Sequence, residues 1–173
     1  DFITRKLRLK VNPAKSAVDR PSKRKFLGFS FTPGKEPKRR IASKSLERCK
    51  DRIRELTQRT RGIDAVRMVS ELSSYLRGWI GYFGFCQTPS VLREMDSWIR
   101  RRLRAVAWEQ WQRGPRRYRE LTRRGVGHDL AAITAGRHHN PWRVSRIMAL
   151  SIALPNALWT RLGLPTLSRP TTA

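Results

Sequence analysis

The sequence predicts a mainly α-helical fold, a helical bundle preceded by a short β-hairpin. Apolar residues recur at steps of three and four along residues 46–56, 66–83 and 92–106, which places them on one stripe of each helix. Near the amino terminus apolar residues alternate with polar ones, and this period of two is typical of a strand with one solvent-exposed face. Six tryptophans and 39% hydrophobic residues supply enough apolar surface for a core.

The predicted hairpin consists of two strands in the first 31 residues. Residues 7–11 alternate apolar and basic side chains before a turn at Asn12–Pro13. Residues 26–31 form the second strand, in which Gly28 indicates a bulge or a close approach by another backbone. Two strands alone are marginal in water, so we expect them to pack on the helices or to belong to a larger sheet. Residues 32–40, rich in Pro, Gly and Lys, are predicted to be a connector.

Capping and breaking residues predict where the helices begin and end. Ser43 is expected to cap a helix that stops by Gly62, and Asp64 begins the next one. That second helix contains Gly78 and Gly81, whose cost of about a kcal/mol each relative to Ala would be offset by close helix–helix contact. The remaining helices are expected after Thr88–Pro89, over residues 116–124, from Pro141 and, for a final turn or two, after Pro155.

These elements predict three parts of the chain. Residues 1–40 hold the strands and the basic connector, residues 41–165 form the helical domain, and residues 166–173 are a disordered tail. The chain begins at Asp1 and its first methionine is Met68, so we expect it to be a piece of a longer protein.

The charge of the chain predicts a polyanionic partner. Lysine and arginine number 38 against 13 acidic residues, a net charge of +25, and such a surplus is hard to hold in a compact fold without a polyanion. Nucleic acid is the first choice and an acidic membrane surface the second. Arginine dominates the helical half and suits bidentate phosphate contacts. No apolar run approaches the roughly 20 residues that span a bilayer, so we expect no membrane partner.

Cys49 and Cys86 are predicted to be reduced thiols in the core. Each lies among apolar positions, and they lack the Cys-x-x-Cys spacing of a metal or redox site. Reduced thiols favour a cytoplasmic location.

Basic side chains on the helix after Pro89 are the first candidates for nucleic-acid contact. Arg93, Arg100 and Arg104 lie opposite the apolar stripe at helical spacing, either as a solvated face or as a row that contacts RNA, and Arg101 adjoins them. Arg102 leans toward the apolar flank, where it would contact backbone or cover the core.

Aromatic residues and one further arginine complete the candidate set. Trp108 and Trp111 follow the arginines along the same helix, where they would either stack on unpaired bases or wedge between helices. Arg77 would contact a phosphate or cap a carbonyl group. For Trp79, Trp98 and Tyr82 we expect core packing.

A series of motifs in fixed order carries a family resemblance. They are residues 9–16 (Leu-Lys-Val-Asn-Pro-Ala-Lys-Ser), 26–29 (Phe-Leu-Gly-Phe), 76–83 (Leu-Arg-Gly-Trp-Ile-Gly-Tyr-Phe), 96–104 (Asp-Ser-Trp-Ile-Arg-Arg-Arg-Leu-Arg), 108–111 (Trp-Glu-Gln-Trp), 141–143 (Pro-Trp-Arg) and 162–164 (Leu-Gly-Leu). In this order and spacing they resemble the C-terminal part of bacterial group II intron reverse transcriptase/maturase proteins, over nearly the whole chain.

The resemblance implies a role for each part. The first two motifs are similar to the last sequence blocks of the reverse transcriptase palm, which implies nucleic-acid contact for Lys15, Leu27 and Gly28. The rest is similar to the thumb, or maturase-specific domain, a helical bundle that grips intron RNA. Intron RNA is therefore the expected partner, and an RNA–DNA template–primer duplex is a second one. The oligomeric state stays open.

The chain also departs from that family. The polymerase signature Tyr-x-Asp-Asp, whose carboxylates hold two Mg²⁺ ions, is absent from the sequence, so we expect no catalytic residue, no metal site and no cofactor, Mg²⁺ belonging only to a full-length polymerase. His138-His139-Asn140 lacks the cysteine pairs that would accompany a nuclease module.

Three functions are consistent with these observations. The first is an RNA-binding maturase domain that assists splicing and mobility of a group II intron. The second is the thumb of an RNA-directed DNA polymerase that is active only when another segment supplies the palm. The third is a non-functional remnant, which would melt without cooperativity.

Overall fold

The computed structural model describes residues 2–8, 10, 12, 19–137 and 139–168. The described chain is mainly helical, with a short antiparallel two-stranded hairpin before the long helices, so the predicted fold class is confirmed. The elements are α1 (Phe2–Arg5), β1 (Phe29–Phe31), β2 (Arg39–Ile41), α2 (Ser43–Leu56), α3 (Ala65–Phe83), α4 (Pro89–Gln110), α5 (Gly114–Arg123), α6 (His128–Ala135), α7 (Pro141–Val144), α8 (Met148–Ala153) and α9 (Asn156–Arg161), with 3₁₀ turns at Pro21–Lys23 and Arg59–Arg61.

The hairpin forms from other residues than predicted. β1 pairs with β2, so that Phe29 lies opposite Ile41 and Phe31 opposite Arg39. Residues 32–40, predicted to be a connector, thus contain the hairpin loop and most of the second strand. The predicted strand over residues 7–11 is absent at its described positions, 7, 8 and 10. β2 was missed because two arginines and one isoleucine are too short a run to display a period of two.

Residues 26–28, predicted to begin the second strand, lie in a tight turn instead. Phe26 and Phe29 exchange both backbone hydrogen bonds at 2.9 Å, and Leu27 and Gly28 between them have φ angles of 48° and 80°. Two successive left-handed residues are typical of a type I′ turn. A Cβ at Gly28 would lie 3.1 Å from the Phe83 ring. The predicted close approach by another backbone is therefore wrong, because the near neighbours are the side chains of Phe83 on α3 and Ser45 on α2.

The long helices bury the stripes that the sequence predicts. A single connected core contains the apolar side chains of α2, α3 and α4: Cys49, Ile53, Leu56, Val69, Leu72, Leu76, Trp79, Leu92, Met95, Ile99, Leu103 and Val106. Trp79 is buried and Trp98 packs partly buried against this core, as expected, whereas Tyr82 is 46% exposed, so core packing is wrong for it. Val66, assigned to the α3 stripe, is 60% exposed because it lies in the first turn of the helix.

Two of the predicted helix features are confirmed and two are wrong. Asp64 caps α3 by accepting a hydrogen bond from the Arg67 N–H at 2.7 Å, and Pro89 lies in the first turn of α4. Ser43 does not cap α2, since Ala42 holds the cap position and no side chain accepts there. A Cβ added to Gly78 or Gly81 would meet no atom of another element within 4 Å, so the predicted close helix–helix contact is wrong.

The C-terminal third is divided more finely than predicted. α6 lies between Gly127 and Gly136, where no helix was expected, and the helix from Pro141 breaks after Val144. Leu167 is fully buried. A disordered tail from residue 166 is therefore wrong for residues 166–168, which pack on α4; residues 169–173 lie outside the described part. The predicted boundary at residue 40 falls inside β2 and stays a prediction.

The two cysteines differ in exposure and therefore in reactivity. Cys49 is fully buried, Cys86 is partly exposed, and both are free thiols. Burial raises the pKa of the Cys49 thiol to about 11. No helix in the described ranges is long and apolar enough to cross a membrane.

A thiol reagent at pH 8 is expected to label Cys86 in the native protein and Cys49 only after unfolding. Because the folded pKa of Cys49 is raised, its contribution to the free energy of unfolding is complete below about pH 8.5 and is lost as the pH rises toward 11. Mass spectrometry of labelled peptides checks the first result, and Cys49→Ala is the control that should lack this part of the pH dependence. Equal labelling of both native thiols would contradict it.

Candidate nucleic-acid interface

Arg100 of α4 contacts other side chains of the protein and is largely buried. Its Nη1 lies 3.2 Å from the Oδ1 atom of Asp96, one turn earlier on the helix, and its side chain is only 11% exposed. Its Nη2 reaches the Thr166 hydroxyl at 3.4 Å. This guanidinium joins α4 to residues 166–168, which we call the C-terminal segment.

Arg101 binds α7 through three contacts. Its Nη2 donates to the Trp142 carbonyl oxygen at 2.7 Å, and its Nε donates to the Ser145 hydroxyl at 3.2 Å. The guanidinium also lies 3.7 Å from the centroid of the Trp142 ring. Burial, with a smaller effect from nearby Arg146, lowers the pKa of Arg101 from its usual value.

Arg102 and Arg104 bind two further parts of the chain. Arg102 donates to the Thr57 hydroxyl and to the Arg54 carbonyl oxygen, which confirms that it contacts backbone. Arg104 donates through Nε to the Leu154 carbonyl oxygen at 3.0 Å and through Nη2 to Asn156 Oδ1 at 2.8 Å. Burial is the main cause that lowers the pKa of both guanidiniums.

The predicted RNA-facing row on α4 therefore does not form. Arg101 faces another direction than Arg100 because successive helical residues differ by about 100°, and Arg104, on the same side as Arg100, lies one turn further along the helix beside a third neighbour. Each of the three donates hydrogen bonds within the protein, and their side chains connect α4 to the C-terminal segment, to α7 and to the α8–α9 junction.

Trp108 and Trp111 are buried, so stacking on unpaired bases is wrong for both and the interhelical wedge is confirmed. Trp108 is 0% exposed and Trp111 is 6% exposed. Arg117 of α5 lies 4.3 Å from the centroid of the Trp108 ring, and Arg124 lies 5.7 Å from that of Trp111. The aromatic pair thus packs α4 against α5.

The other predicted contacts have separate outcomes. Lys15 lies outside the described residues. Leu27 is 67% exposed, and its carbonyl oxygen accepts a hydrogen bond from the Tyr82 hydroxyl at 2.8 Å. Arg77 and Arg93 are exposed, and within the described ranges neither has an ion pair or a side-chain hydrogen bond. RNA contact by these residues stays a prediction.

The structure also presents cations that the sequence prediction missed. Arg116, Arg119 and Arg123 occupy one side of α5, are exposed, and form no ion pair with any carboxylate in the described part of the chain. We call these three residues the α5 row. The opposite side of α5 buries Leu121 against the core. The signal was present in the sequence, since the three arginines are separated by steps of three and four.

One family model matches the central part of the chain. Residues 46–125 match the family model described as "Group II intron, maturase-specific domain". This segment is a group II intron maturase-specific domain. The predicted relationship is thereby confirmed, and it gives the chain a function related to group II intron maturases. A comparison with curated proteins found no match.

The maturase-specific domain holds α3, α4 and α5 in full and most of α2. It is a non-catalytic domain. Among the described residues, no three His, Cys, Asp or Glu side chains cluster closely enough to hold a metal ion. Arg101 and Arg104 lie inside the domain and bind α7, α8 and α9 beyond it. The α4 arginines thus attach the C-terminal helices to the maturase-specific domain.

Proposed function

We propose that this chain binds structured group II intron RNA and thereby assists splicing and mobility of the intron. The observation that carries the proposal is the α5 row, three exposed guanidiniums without carboxylate partners among the described residues, on the outer side of the maturase-specific domain. Guanidinium groups suit bidentate phosphate contacts.

The mechanism needs only binding. Cations that neutralise phosphates release counterions, which supplies sequence-independent affinity, and the shape of the folded RNA provides selectivity. A protein that binds only the folded RNA stabilises that state by mass action. We extend the proposal to a cytoplasmic location, consistent with the two free thiols.

A filter-binding titration of the 173-residue chain with a structured group II intron RNA tests the proposal. At constant Mg²⁺, log K should fall steeply and linearly as log[salt] rises. A mixed-sequence RNA of equal length that cannot adopt the intron fold is the matched competitor. A nearly flat dependence on salt would overturn the proposal.

Replacing the α5 row by alanine, R116A/R119A/R123A, is expected to weaken RNA binding about 10- to 100-fold near 0.15 M salt. At about 0.5–1 kcal/mol for each exposed charge contact, three contacts account for this range. The slope of log K against log[salt] should become shallower by about two. The melting temperature should be unchanged, because all three side chains are exposed.

The matched control for the α5 row is R5A/R8A/R161A. It removes the same charge from exposed arginines that have no ion pair within the described residues. If both triple variants lose affinity equally, the α5 row is not a preferred contact and only net charge acts.

An RNA–DNA template–primer duplex stays a second proposed partner. In the same assay it would compete with intron RNA for the α5 row. Competition by the duplex at concentrations similar to those of the intron RNA would favour the polymerase-thumb alternative over a maturase that prefers folded RNA.

A further inference from the structure

Cationic side chains from three segments converge on an open groove beside the β-hairpin. The groove has a volume of about 820 Å³ and lies where the 3₁₀ turn Pro21–Lys23, β2 and the start of α2 meet. Its lining consists of five basic residues with Phe26, Ala42 and three serines, and it includes no acidic residue: the basic ones are Lys23, Arg24, Lys25, Arg40 and Lys44. We call this the hairpin groove.

The fold holds these five cations together, and only Arg24 has a carboxylate partner among the described residues. Arg40 lies on β2 opposite Ser30, and the Ser30 hydroxyl donates to the Ser22 carbonyl oxygen at 3.3 Å, which fastens the 3₁₀ turn to the sheet. Arg24 pairs with exposed Asp19, with Nε and Oδ2 3.4 Å apart. The other four have no ion pair with any described residue, and all five are exposed. Five like charges around one groove repel one another, a cost that a bound polyanion removes.

Two neighbouring features favour a nucleotide chain over a simple anion. Phe26, at the groove, is 75% exposed and presents an aromatic ring on which a base can stack. The first turn of α2 opens into the same groove, and no side chain caps it. Its N–H groups add positive potential, although the converging side chains carry the inference.

We propose that the hairpin groove is a second RNA contact, which takes the phosphodiester backbone of a single-stranded segment and stacks one base on Phe26. This proposal rests on the proposed RNA binding. Every residue that lines the groove precedes the matched maturase-specific domain, and the nearest one, Lys44, lies two residues before its start. The α5 row and the hairpin groove then contact different parts of one RNA.

The test compares two lysine triples with the same change in charge. K23A/K25A/K44A removes three groove cations, and K6A/K10A/K35A removes three exposed lysines elsewhere. Binding is measured with a fluorescein-labelled oligouridylate of about 12 nucleotides across salt, with inorganic phosphate as a competitor. The groove triple should lose about tenfold or more in affinity and about two in salt slope, whereas the control triple should change less than about threefold. F26A should weaken oligouridylate binding severalfold and leave the salt slope unchanged.

A readout on the unaltered protein keeps the inference independent of variant folding. Bound oligouridylate should protect Lys23, Lys25 and Lys44 from acetylation and leave Lys6, Lys10 and Lys35 reactive. If the two lysine triple variants lost affinity equally, or if the oligouridylate protected the groove lysines and the control lysines from acetylation equally, the hairpin groove would not be an RNA contact. The proposed binding of intron RNA through the α5 row would still stand. If millimolar phosphate displaced the oligouridylate and F26A had no effect on its binding, the groove would be a simple anion site and the inference would be wrong. If the wild-type chain showed no salt-dependent binding of RNA, the proposed function itself would be wrong.

Discussion

Trp108→Ala is expected to lower the free energy of unfolding by about 3–5 kcal/mol. The Trp108 side chain is 0% exposed, lies under the Arg117 guanidinium at 4.3 Å and meets the Trp111 ring edge-on at a centroid distance of 6.1 Å. Its removal would leave a cavity between α4 and α5, into which the surrounding side chains relax only in part. Urea denaturation followed by circular dichroism measures the change.

Two further substitutions separate burial from RNA contact. Phe26→Ala removes an aromatic ring that is 75% exposed, so its effect on stability should stay within about 0.5 kcal/mol. Trp108→Phe keeps an aromatic ring and loses no hydrogen bond within the described residues, because the indole Nε1 has no partner there. It should therefore cost less than Trp108→Ala. If Trp108→Ala reduced RNA affinity at unchanged stability, the assignment as an interhelical wedge would be wrong.

Helical periodicity predicted the core because burial of a helix face depends mainly on local spacing. The stripes of α2, α3 and α4 lie at steps of three and four, and nearly all of their members are buried. The short elements were harder to predict. β2 contains three residues, too few to display a period of two, and the single helix expected from Pro141 is divided into α7 and α8, of four and six residues.

The function of each arginine could not be predicted from spacing, because it depends on what lies opposite in the fold. Arg101 meets a carbonyl oxygen 41 positions away in sequence, and Arg104 meets one 50 positions away. No local pattern encodes such distant partners. The α5 row, in contrast, displays its helical spacing of three and four in the sequence itself, because exposure on one side of a helix depends on local periodicity.

Carbonyl oxygens near helix ends replace the missing carboxylates in this chain. With 13 acidic residues for 38 basic ones, few ion pairs are available. Arginines bind carbonyl oxygens at or near the ends of α2, α3 and α8, where the helix dipole is negative: Arg61 binds Leu56, Arg39 binds Phe85, and Arg104 binds Leu154. A net charge of +25 therefore overstates the cations available to RNA, because several guanidiniums are already bound to carbonyl oxygens of the protein.

Asp96→Ala is expected to cost about 3–5 kcal/mol and to release the C-terminal segment. The Asp96 side chain is 8% exposed and accepts from the Leu167 and Ser168 backbone N–H groups at 3.0 and 3.1 Å. It also accepts from the Ser168 hydroxyl at 3.0 Å and pairs with Arg100. Its removal would leave a guanidinium and two N–H groups without their acceptor in a buried place, and this loss exceeds that of any exposed pair.

Asp51→Ala is the matched control for Asp96→Ala. Asp51 pairs with Arg54 on the surface of α2, where both side chains are more than half exposed, and its loss should cost at most about 1 kcal/mol. Limited proteolysis adds a local readout, because release of buried Leu167 should expose the chain near residue 167 to cleavage in D96A but not in D51A. Equal stability of the two variants, or an unchanged cleavage pattern in D96A, would mean that Asp96 does not hold the C-terminal segment. Cleavage near residue 167 with retained RNA affinity would show instead that this attachment stabilises the fold and that RNA contact takes place elsewhere.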